Sequence, residues 1–138
     1  MKKLFVMLIM LVLVGSCALA DFTNLHDLQR YIYNNSPRNI TEYDRASIMG
    51  TIISIEFVTG NHYNLILEVD DPNATSPMWS DKPQVIGHFR LHLDNIDDLP
   101  FKVGDTALIV GGINSLYSTS IVPMIMIDEI NGYDRDEF

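Results

Sequence analysis

From Ser47 to Ile130 one pattern keeps returning: a short run in which alternate residues are apolar, closed off by glycine, proline or asparagine. Tyr63, Leu65, Leu67 and Val69 alternate with Asn64, Ile66, Glu68 and Asp70. Val85, Gly87, Phe89, Leu91 and Leu93 alternate with Ile86, His88, Arg90 and His92. A period of two puts every apolar residue on one face of a strand. The β-branched runs Ser47–Phe57, Thr106–Val110 and Ile121–Ile130 bring the strands to five. Short strands with one apolar face bury it, and lose their exposed edges, by closing on themselves. Glycines stand inside the strands as well as between them. Gly50, followed by adjacent Ile52 and Ile53, marks a bulge or sharp bend. Gly111-Gly112 lets the fourth strand bend where a side chain would clash. The expected fold is all-β, a five-stranded barrel.

The punctuation between strands is equally readable. Thr59-Gly60-Asn61 and Val103-Gly104-Asp105 are turns, and residues 70–84, with three prolines, are a loop. Asp94 to Leu99 fits one helical turn capped by Asp94, and Ile113 to Thr119 is a loop centred on Tyr117. Pro123 fits only a strand edge or a strand beginning. Ahead of the strands, Phe22, Leu25, Leu28 and Ile32 recur at helical spacing after a cap at Thr23 or Asn24, and Asn34-Asn35-Ser36-Pro37 ends that helix. So short a helix is unstable alone and has to dock on the barrel. Residues 131–138 are polar and acidic and read as a loose tail.

The first residues, MKKLFVMLIMLVLVGSCALA, have the form of a secretory leader. Lys2 and Lys3 make a basic start, and the apolar run Leu4–Val14 falls short of the roughly 20 residues that span a membrane. Ala18-Leu19-Ala20 suits ordinary cleavage after Ala20, whereas Val14-Gly15-Ser16-Cys17 resembles a bacterial lipobox with Cys17 as the lipidated residue. The expected organisation is a signal peptide over 1–20, a helix and linker over 21–44, a barrel over 45–130 and an acidic tail over 131–138. Cys17 is the chain's one cysteine, so beyond the leader disulfides, thiolate metal sites and cysteine nucleophiles are excluded. The net charge of −9 becomes more negative once Lys2 and Lys3 are lost. Such a balance disfavours nucleic acid and anionic lipid surfaces.

Two motifs carry a resemblance over about residues 45–130. Gly50-Thr51-Ile52-Ile53-Ser54-Ile55 is similar to the glycine-led first strand of the OB-fold superfamily. Phe101-Lys102-Val103-Gly104-Asp105-Thr106-Ala107-Leu108-Ile109-Val110-Gly111 is similar to its fourth strand. With the preceding helix, the chain resembles exported bacterial proteins that carry a tRNA-anticodon-binding-like OB domain. The resemblance implies an OB-fold-like barrel and a binding face, not a particular activity.

The candidate binding strip is polar and lies on the outward phase of the second and third strands: Asn64, Glu68, His88, Arg90 and His92, flanked by Trp79 and Tyr117. His62 stands at the start of the second strand, but His88 and His92 are two strand repeats apart, about 13 Å, too far to converge on zinc. Asp70, Asp71 and Asp81 lack a calcium-loop spacing. No metal or cofactor is expected. Stacking aromatics are present, yet between Thr51 and Phe101 only Lys82 and Arg90 are cationic, too few for a phosphate track. Hydrolase, metalloprotease and phosphate-loop signatures are missing. The expectation is an exported, non-catalytic binding module of a bacterial envelope, periplasmic, secreted or lipid-anchored, with a protein, peptide or glycan partner. The alternatives are a single-stranded nucleic-acid-binding or nuclease domain and a structural lipoprotein.

Overall fold

A computed structural model describes residues 21–35, 39–41 and 44–138. The expected leader, with Cys17 and Ala20, lies outside the described residues. Five strands form the barrel: β2 (Arg45–Thr59), β3 (His62–Glu68), β4 (Gln84–Arg90), β5 (Thr106–Ile113) and β6 (Met124–Ile130). β2 pairs antiparallel with β3 and with β5, β3 with β4, and β5 with β6, while β4 and β6 run parallel. The circuit β2-β3-β4-β6-β5 returns to β2, so the sheet is closed. This is a mixed five-stranded OB-fold-like barrel, and the mostly-β reading of the sequence holds. The inward phase is the one that alternation marks: Leu65, Leu67, Val85, Ile109, Ile125 and Ile130 are fully buried.

Two close approaches explain glycines in the wall. A Cβ on Gly111 would lie 1.8 Å from the Met126 carbonyl oxygen, and one on Gly50 would lie 2.5 Å from that of Glu68. Gly111 stands where the β5–β6 register slips, and a second slip falls between Ile52 and Ser54 in β2. The bend at Gly50 and the phase change at Ile52-Ile53 are therefore one feature of a coiled wall.

The helix is α1 (Leu25–Asn34), capped by Asn24, whose side-chain oxygen accepts the Asp27 amide at 2.9 Å. Leu25 and Leu28 are buried, as the apolar stripe requires. Gln29 is buried too, because every polar atom of its amide is used. Its nitrogen donates to the carbonyls of Thr75 and Ile121, and its oxygen accepts the Thr75 amide. One side chain thus ties the helix to two loops. Phe22 belongs not to the helix but to β1 (Asp21–Phe22), which pairs parallel with Arg45–Ala46, and its ring meets Tyr31 at 4.7 Å. The Tyr31 hydroxyl donates to Asp44 at 2.8 Å. Burial, then the Asp44 hydrogen bond and charge, push that hydroxyl up to about 12.

Three expectations are corrected. The third strand ends at Arg90, so Leu91 to Leu93 are not part of it. The helical turn is Ile96–Asp98, capped by Asn95 rather than Asp94. The acidic tail is not loose: β7 (Tyr133–Asp134) pairs with β6, a turn follows over Arg135–Glu137, and Phe138 is fully buried. Its ring packs edge-on against Phe89 and Phe101, with centroids 5.8 and 5.5 Å away. A polar stretch ending in one aromatic can be held by that aromatic, since burying a Phe is worth about 1.5–3 kcal/mol. Among the described residues no helix is long and apolar enough to cross a membrane.

Candidate ligand-binding site

A recess of about 420 Å³ opens on the outer wall where β3, β4 and β6 meet the β2–β3 hairpin and the β5–β6 loop. β3 and β4 are adjacent, with Asn64 opposite His88 and His62 opposite Arg90. The outward phase therefore brings His62, Asn64 and His88 onto one patch. β6 contributes Met124 and Met126, the hairpin Val58 and Thr59, and the loop Asn114 and Tyr117.

The polar floor is a single hydrogen-bonded chain. With the Asn64 side-chain oxygen as acceptor, His88 Nδ1 donates to it at 2.7 Å. His88 Nε2 then carries a lone pair and accepts the Nδ1–H of His62 at 3.1 Å. In its neutral form His62 keeps Nε2 as a free acceptor. The imidazoles lie nearly parallel, at 15°, with centroids 5.1 Å apart and meeting through this bond. Burial, and secondarily the neighbouring His62, hold His88 below the ordinary value of 6.5. The floor is thus a hydrogen-bonded donor–acceptor chain with His88 at its centre.

The loop over the recess is held by its own polar groups. Asn114 Oδ1 accepts the amides of Leu116 and Tyr117 at 3.0 and 3.2 Å. Ser118 Oγ accepts the Met124 amide at 2.8 Å and donates to the Met124 carbonyl. Tyr117 is 69% exposed, so a loop that is internally fixed carries an aromatic face left to solvent. No carboxylate, lysine or arginine is among the described residues lining the recess.

Of the expected strip, Asn64, His88 and Tyr117 come together here, and Arg90 sits on the neighbouring register position at the rim. Glu68 is at the far end of β3, opposite Gln84, about 13 Å from Asn64 along the strand. Trp79 goes with it: its indole donates to Gln84 at 3.1 Å, while the residue stays 74% exposed. His92 is beyond the strand end and serves the last residues, its amide and Nδ1 both facing the Phe138 carbonyl at 2.8 and 3.1 Å. Sequence reading missed Asn114, Met124, Met126, Val58 and Thr59. The first was signalled by an Asn opening a turn-rich loop; the others were not, because strand crossing places them. Asp71 is engaged at the start of α1, accepting the His26 amide at 3.0 Å, and among the described residues no group of three His, Cys, Asp or Glu side chains is arranged to hold a metal.

No protein-family model, curated protein or solved structure matches this chain. Fold and pocket together define a small closed β-barrel whose wall carries a recess free, among the described residues, of carboxylate, lysine and arginine and flanked by an exposed tyrosine.

Proposed function

We propose that this protein is an exported, non-catalytic binding module of a bacterial envelope whose barrel-wall recess takes an uncharged glycan. The leader-like first twenty residues support export, with release after Ala20 or lipid anchoring at Cys17 as its two forms. The observation that carries the ligand class is the lining. It offers an exposed tyrosine face, amide and imidazole groups and two methionines, without a carboxylate, lysine or arginine among the described residues. Sugar rings present apolar faces for stacking and hydroxyls that both donate and accept, which is what such a surface complements. The wall of the second and third strands, with the loops flanking it, is also the usual ligand position in OB-type barrels. Among the described residues no lysine or arginine lines the recess, Arg90 standing only beside it across from His62, and the net charge of −9 opposes a phosphate-bearing ligand.

Isothermal titration of residues 21–138 against a panel of neutral oligosaccharides tests the reading. Binding of at least one class, weakened about tenfold or more by Tyr117→Ala and little affected by salt, is expected. Tight binding of single-stranded oligonucleotide that fades steeply with salt would replace it with the nucleic-acid alternative. Absence of binding to both, with Cys17 lipidated in cells, would favour a structural lipoprotein.

A further inference from the structure

β2 is much longer than the strand that covers its second edge. β5 pairs with it only from Arg45 to Thr51, and two further backbone bonds join Ile52 to Asp105 and Gly104. From Ser54 to Thr59 the ladder partner of β2 is β3 alone. The other edge of this stretch has backbone groups with no strand beside them among the described residues, and register slips at Ile52/Ser54 and Phe57/Thr59 bracket it. Beside that edge runs a groove of about 640 Å³, with Ile55, Leu99 and Val103 in its walls. Phe57 and Val103 are more than half exposed. The charges around it are mostly negative: Asp97 and Asp105 line it with one cation, Lys102, and exposed Glu56 lies on the strand itself.

We infer that the free edge of β2 accepts one short extended segment of a partner protein, in which apolar side chains alternate with lysine or arginine. A strand supplies the missing main-chain bonds, and its alternation sends apolar side chains into the groove beside Ile55 and cations to the opposite face, towards Glu56, with Asp97 and Asp105 adding to the negative field around the edge. The bracketing slips limit regular pairing to about four residues, so the segment is short. Charge decides against a second copy of this chain: at −9, two such molecules repel, and the edge carries an acid at its centre. The edge adjoins the glycan recess at Val58 and Thr59, but its regular pairing stretch is Ser54 to Phe57 and its groove shares no lining residue with the recess, so neither reading depends on the other.

The probe is a fluorescein-labelled hexapeptide alternating lysine and valine, titrated by anisotropy into residues 21–138 at low salt. The controls are a glutamate–valine version and a lysine–valine version with proline at its centre. Expected are saturable binding of the first peptide, about tenfold weaker binding of the proline version, and no binding of the acidic one. Glu56→Lys, an exposed change that spares the core, should weaken the first peptide severalfold, and amide resonances of residues 54–58 should shift on titration. Equal binding of the two basic peptides would reduce the effect to bulk charge and overturn the proposal. So would failure to bind, shifts confined elsewhere, or sedimentation showing that this edge is closed by a second copy.

Discussion

At the scale of single residues, the most informative group is His88. Its imidazole is held between Asn64 and His62 in the neutral form, with its proton affinity lowered by burial. The folded value lies below the unfolded one, so between the two the unfolded chain binds more protons. Stability from this group is complete above about pH 6.5 and is lost as pH falls through the window. Imidazole resonances followed by NMR should show His88 titrating at lower pH than a free histidine, and His88→Gln should flatten part of the acid-side loss of stability. An ordinary titration for His88 would mean that its imidazole is not shielded from water in solution. Gly111 is the other decisive residue. Gly111→Ala puts a methyl group into the β6 backbone at Met126, where rotamer changes give no relief, and should cost about 3 kcal/mol. Urea unfolding measures it, and a near-neutral result would show that β5 and β6 are not in contact there.

Elements show what alternation can and cannot deliver. The inward phases of β3 and β4 were readable because half-buried antiparallel strands separate apolar from polar residues strictly. His88 and Asn64 were both legible as outward residues. That they hydrogen-bond was not, because this depends on the β3–β4 register rather than on either strand. Extending the third strand to His92 followed a pattern that continues past the point where pairing stops. Leu91 and Leu93 keep the apolar phase, but the chain has left the sheet: the Leu91 amide donates to Asn61 in the β2–β3 turn and the His92 amide to Phe138. The β5–β6 loop is the element on which the recess depends. Asn114→Ala removes the acceptor for two loop amides and should loosen Tyr117 without touching the barrel core. The measurable outcome is faster amide exchange over residues 115–119 at nearly unchanged global stability.

On the scale of the whole molecule, closure is completed by the last residue described. Phe138 enters the cluster of Phe89 and Phe101, and its carbonyl receives the His92 amide, so this residue fastens the region after β4. Phe138→Ala should destabilise the domain by about 3 kcal/mol, the loss expected on truncating a buried aromatic. The denaturant midpoint reports this loss, and an unchanged midpoint would return residues 131–138 to the loose tail that their composition suggested. That composition misled because polarity averaged over eight residues hides one aromatic at a fixed place. The two surfaces proposed for binding also belong to this scale, one made by strands crossing and the other by strands of unequal length.

Alternation, internal glycines and turn residues were enough to mark five strands and their inward faces, because each acts on the backbone within a few residues, while closure was read from the resemblance of their order to a known barrel. The capped helix was determined in the same local way. Tertiary structure alone decided which outward residues meet: the His62–His88–Asn64 chain, the methionines of β6 beside them, the bare edge of β2 and the burial of Phe138. Those outcomes depend on register between strands far apart in the chain, and a shift of one residue in register would send each of these side chains to the opposite face.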